Sequence, residues 1–146
     1  MTPIKVRAGI QEKGTIMPRV SAAFFTLGAL LLLAGMILGE WMGSHQDFTL
    51  APLHAHINLL GWVTLALYGT FYALTKETYS PRLAWINFVL SAAGILAMIP
   101  VLHLLLTSPD GGKRYGAMAG AAGGIAMLGL LVFLISVLRE LFRKRV

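Results

Sequence analysis

The sequence predicts an all-α integral membrane protein, a bundle of four transmembrane helices. Hydrophobic residues fill 57% of the 146 positions and charged residues only 12%. Apolar stretches of membrane-crossing length recur four times, and the basic residues gather at their ends. A water-soluble domain of this size needs more charge to cover its surface. A hydrocarbon core about 30 Å thick takes roughly 20 apolar residues per helical crossing. The chain therefore has room for four crossings with short loops, and none for a separate soluble domain.

Residues 1–19 are polar and carry Lys5, Arg7, Lys13 and Arg19, and no A-x-A-like cleavage site follows the next apolar run. They read as a cytoplasmic tail, not a cleaved signal. A single transmembrane domain, 20–139, follows, with spans at 20–39, 50–74, 83–106 and 115–138, and a basic cytoplasmic tail at 140–146 closes the chain. Ten of the twelve basic residues fall on one side: those four, Lys76 and Arg82 between spans two and three, and Arg139, Arg143, Lys144 and Arg145. The opposite side holds only Lys113 and Arg114. The positive-inside rule then puts both termini in the cytoplasm and the loop 40–49 outside.

Span four opens with Gly116, Gly120 and Gly124, four residues apart and interleaved with alanines. Small residues at that spacing let a second helix approach closely, which in lipid replaces the hydrophobic drive to associate. That partner is either another helix of the same chain or a neighbouring subunit.

Composition also excludes chemistry. With no cysteine, disulfides, thiolate metal sites, iron–sulfur clusters and c-type heme attachment are ruled out. A net charge of +6 would fit nucleic acid, but insertion topology accounts for where the charges sit, so no nucleic-acid partner is expected. No intramembrane carboxylate offers a proton path.

The second span begins Pro52-Leu53-His54-Ala55-His56-Ile57-Asn58. Ionisable groups at membrane depth are costly and usually face a site. Helical residues two apart point roughly 200° away from each other, so His54 and His56 are poorly placed to grip one ion together. They suit a helix standing between two sites. The alternatives are interhelical hydrogen bonding, with Asn58 one turn beyond His54, and a bare copper or other metal site. Gly61 and Gly69 clear space that a flat macrocycle would use, although glycine is common in membrane helices generally. Trp41, Tyr79 and Tyr115 read as interface anchors, with Trp62 and Tyr68 deeper.

The run 54–74, HAHINLLGWVTLALYGTFYAL, resembles the His-x-His helix of subunit I of heme-copper oxidases and nitric oxide reductases. With the preceding 45–52, HQDFTLAP, it looks closer still to the small four-helix proteins identified as cytochrome c oxidase subunit I-like in bacterial genomes. The likeness covers about 30 residues, and the other helices match only in hydropathy. It implies one arc of a subunit whose twelve helices form three arcs, in a bacterial inner (cytoplasmic) membrane. It also implies heme ligation, His54 serving one pore and His56 the next. A homotrimer would then rebuild the twelve-helix array by closed symmetry, each pore taking His54 from one chain and His56 from its neighbour.

Two such imidazoles make a six-coordinate low-spin heme b suited to electron transfer, and one leaves a position for a gas ligand. Asn58, Gly61 and Trp62 would line the cofactor, and Arg114, with Lys113, would pair with heme propionates. The plainer reading of that basic pair is a solvated loop. His103 corresponds in depth to the family's copper histidines, but those are an adjacent pair and here the neighbour is Leu104. His103 is thus a weaker metal candidate, and His45 an outer-loop residue. No set of three histidines for a copper cluster is arranged in the sequence, which argues against full oxidase activity. An electron-donor protein or quinol would be the redox partner. The competing class is a non-redox accessory subunit, small channel or copper-binding membrane protein.

Overall fold

The computed structural model describes residues 16–110 and 113–143. The expectations for the rest of both tails fall outside that range. Four helices make up the fold: α1 (Arg19–His45), α2 (Ala51–Leu74), α3 (Pro81–Thr107) and α4 (Gly116–Leu141). They have 27, 24, 27 and 26 residues and are apolar enough to cross a membrane. At 1.5 Å per residue each spans about 36–40 Å, more than the hydrocarbon core requires. Leucines such as Leu33, Leu67 and Leu134 lie exposed, as expected where the surrounding medium is lipid.

The ends follow local chemistry. Pro81 occupies the first turn of α3, where its missing N–H leaves nothing unsatisfied. Ser and Thr hydroxyls along the helices donate back to carbonyls one turn earlier, as Thr26 does to Ala22 and Thr70 to Ala66, both at 2.8 Å. The main departure from expectation is the first loop. Hydropathy ends the first span near Gly39, whereas α1 continues to His45 and stops at Gln46, whose φ of 53° is left-handed. The added turns are polar, and hydropathy registers the membrane boundary, not the end of a helix. A short connection remains, in which Asp47 accepts from the Thr49 amide at 3.0 Å. The Thr49 hydroxyl and amide hold the Asp47 carboxyl below its usual pKa.

The helices pack as two hairpins, α1 with α2 and α3 with α4, joined through α3. Along α1–α2, small residues of one helix receive large ones of the other: a Cβ on Gly61 would meet Leu31 at 2.9 Å, and one on Gly28 would meet Trp62 at 3.2 Å. Between α3 and α4 the approach is backbone to backbone, for a Cβ on Gly94 would stand 2.6 Å from the Ala126 nitrogen. α4 buries only Ala122, Gly129 and Ser136, seven residues apart, as one narrow seam. Gly116, Gly120 and Gly124 lie off that seam, with nothing within 4 Å of an added Cβ. Of the two readings of that stripe, the internal helix pair does not hold for these three glycines.

Candidate functional site

α2 is not a uniform helix. Ala51–His56 and Thr64–Leu74 are α-helical, while Ile57–Val63 between them is π-helical. At its end the Thr64 amide donates to the Leu59 carbonyl five residues back, and the Thr64 hydroxyl caps the same oxygen at 2.8 Å. π segments within α-helices are rare and frequent at functional sites. Here the widened turn immediately follows the two histidines and resets their direction relative to Leu65, Tyr68 and Tyr72, the buried face of the lower half of α2.

The histidines take opposite sides, as their spacing predicts. His54 turns toward α1. Its Nδ1–H donates to the Gly35 carbonyl at 2.9 Å, and Nε2 accepts from the Asn58 amide at 3.1 Å. Asn58 also donates to the His54 carbonyl at 3.0 Å. The ring fits because α1 carries glycine here: a Cβ on Gly39 would lie 2.9 Å from His54 Cε1. The Asn58 Oδ1 is buried without a hydrogen-bond partner among the described residues, pressed against Gly35. Leaving such an acceptor unpaired costs about 1–3 kcal/mol, so this corner is less settled than the rest of the α1–α2 contact.

His56 faces away. Its Nδ1–H donates to the Pro52 carbonyl one turn back at 2.7 Å, in an exposed setting. Among the described residues Nε2 has no partner. A metal-binding histidine commonly has its other nitrogen on a backbone carbonyl, which fixes the tautomer and aims the free nitrogen outward. His56 has that arrangement complete. His54 has the same Nδ1 anchor, but its Nε2 is occupied.

The remaining expected residues scatter. Gly61 is buried against Leu31 and Trp62 packs beside Gly28, so both serve the α1–α2 contact within this chain. His103 is exposed on α3, Lys113 and Arg114 are exposed beyond that helix, and His45 stacks on Trp41 with ring centroids 4.8 Å apart. No group of three His, Asp or Glu side chains able to hold a metal comes together among the described residues. A single chain thus presents one free imidazole nitrogen at the His-x-His turn.

Comparison with protein-family models, curated proteins and solved structures finds no match.

Sequence reasoning missed a second polar constellation. Asn87 donates to the Tyr72 hydroxyl and Tyr72 to Ser136, both at 3.2 Å, while Ser91 donates to Asn87 at 3.0 Å. Asn87 and Tyr72 are fully buried. The set ties α2, α3 and α4 together, and each hydroxyl in it has an acceptor, since Ser136 donates in turn to the Val132 carbonyl. Asn87, a polar residue well inside an apolar span, was the available clue.

Proposed function

We propose that this chain is a heme b-binding integral membrane protein of the kind its His-x-His helix resembles. It would sit in a bacterial inner membrane with both termini cytoplasmic and carry electrons or bind a gas at sites shared between subunits of a homotrimer. The observation that carries the reading is His56, whose Nδ1 is anchored to the Pro52 carbonyl and whose Nε2 is unpartnered. Facing lipid with a ring this polar and no ligand would be costly. Bound heme supplies a one-electron iron centre in lipid.

The chain's own residues then divide the work. His56 is the ligand already in place before assembly. His54 would hold a neighbour's heme iron only if Asn58 released Nε2, with the Gly35 carbonyl keeping the ring aimed. Arg114 is accessible for a propionate. The exposed Gly116, Gly120 and Gly124 of α4 supply a close-packing face for the neighbouring subunit, since no helix of the chain itself covers them. Copper is the alternative metal for an imidazole pair. An accessory or channel role gains from one observation, the complete internal bonding of the His54 ring.

The test is a reduced-minus-oxidised spectrum of the purified full chain, with iron and heme quantified per chain. One heme per chain is expected in the wild type, loss of the Soret band in His56→Ala, and a change from a low-spin to a high-spin spectrum in His54→Ala. No Soret band after expression with ample heme, and none on adding hemin, would end the proposal. A spectrum unchanged in both variants would also end it.

A further inference from the structure

A second site lies away from the histidines. Because α4 leans on α3 and leaves α2 largely uncovered, a cleft of about 290 Å³ opens between α2 and α4, with part of α3 as its floor. Small-ligand pockets begin near about 300 Å³. Exposed Leu60, Met127 and Leu130 form its mouth on the outer surface of the single chain, and Ile95 is buried at its floor. The lining is almost wholly apolar apart from three hydroxyl residues, Thr64, Ser91 and Tyr68.

Those hydroxyls differ in what they have left to give. Thr64 spends its proton on the Leu59 carbonyl and Ser91 on Asn87. Tyr68 is only 5% exposed, and its hydroxyl has no hydrogen-bond partner among the described residues. Its ring is held from two sides, by Phe133 with centroids 4.2 Å apart and by Phe24 edge-on at 5.8 Å. A long side chain on a helix points back toward the N-terminus, so the Tyr68 hydroxyl extends toward the level of Thr64, along the cleft. The ring is buried but the hydroxyl is not among the buried unpartnered atoms, and a tyrosine hydroxyl beside an apolar cleft is a donor in search of an acceptor.

From this we infer that the cleft binds a membrane-dissolved molecule with an apolar body and one carbonyl, the carbonyl accepting from Tyr68. An isoprenoid quinone and the ester of a phospholipid chain both have that chemistry. A charged or strongly polar ligand does not fit, because no ionised group lines the walls. The inference does not depend on heme, since none of the cleft's lining residues is a proposed heme ligand.

Native mass spectrometry of the full chain, released from detergent and titrated with decylubiquinone, reads both sources at once. One quinone per chain is expected on the wild type. Tyr68→Phe keeps the ring packing and removes only the donor, so binding should weaken about three- to tenfold. Met127→Trp plugs the mouth from a position 62% exposed, where folding is not at stake, and should abolish binding. If co-purifying phospholipid occupies the wild type instead, resists quinone, and is lost by the same two substitutions, the lipid ester is the occupant and the site stands. Binding of neither molecule, or equal binding in the wild type and both variants, overturns the inference. Circular dichroism of each variant separates loss of binding from loss of fold.

Discussion

Replacing Gly35 by alanine tests the corner where α1 meets the His-x-His turn. The added Cβ would sit 2.9 Å from both Cγ and Nδ2 of Asn58 and closer still to Oδ1. Carbon atoms in good contact stand about 3.5–4.0 Å apart, so the Asn58 amide must retreat by roughly 0.6 Å or more. That amide holds His54 Nε2 at 3.1 Å, and N–H···O bonds in proteins rarely extend beyond about 3.2 Å. The retreat therefore breaks the contact as well as crowding the helices. Overpacking costs about 1–3 kcal/mol, while alanine in place of glycine inside a helix returns about 0.8–1.0 kcal/mol. The net expectation is a loss of up to about 2 kcal/mol. Gly43→Ala on the same helix, where nothing lies within 4 Å, should show only the gain. Reversible unfolding of both variants in mixed micelles by titration with dodecyl sulfate measures the difference, and ¹⁵N shifts of His54 report its freed nitrogen. Equal stability for the two variants, or an undisturbed Nε2 in Gly35→Ala, would refute the reasoning.

Two further outcomes follow from the packing. Tyr72→Phe should lose about 1 kcal/mol in the same unfolding assay, because it strands the Asn87 amide while the unfolded helices in a membrane still find polar partners; no loss would mean that the buried network adds nothing. If the proposed homotrimer packs through the α4 glycine stripe, Gly120→Leu should dissociate it without altering the helix content of the single chain, since nothing within the chain approaches Gly120; a trimer that survives it by native mass spectrometry would place the subunit contact elsewhere.

The number, type and approximate ends of the helices were legible because a bilayer imposes one requirement, about 20 apolar residues with every backbone group bonded internally. The opposed directions of His54 and His56 were legible for a similar reason, helical pitch. What hydropathy could not carry is the identity of a glycine's neighbour. Gly61, read as clearance for a macrocycle, is filled by Leu31, and Gly116, Gly120 and Gly124 face away while Gly94 and Gly129 make the close α3–α4 contact. Both sets look alike in sequence, and only the rotation of α4 about its axis separates them. The π segment was equally hidden, since Ile57–Val63 contains residues common in any membrane helix, and its one local mark is a threonine hydroxyl reaching back five residues instead of four.

The two histidines share one device and differ in one bond. Each gives Nδ1–H to a backbone carbonyl, Gly35 for His54 and Pro52 for His56, but only His54 has Nε2 covered, by Asn58. If a neighbouring chain is to recruit His54, Asn58 must let go. The His54–Asn58 bond lies within α2; side-chain hydrogen bonds between membrane helices, the nearest measure, average about 0.6 kcal/mol with a maximum near 1.7. By population arithmetic the released ring is then roughly 5–27% of the total, and affinity for a ligand that needs it is reduced about four- to twentyfold. Asn58→Ala removes the lock and the unpaired Oδ1 together while sparing the Gly35 anchor. Hemin titration of that variant should show tighter binding by that factor and a more complete low-spin spectrum if His54 is an axial ligand. Unchanged affinity and an unchanged spectrum would instead confine His54 to holding α1 against α2 and leave His56 as the one residue proposed to hold iron.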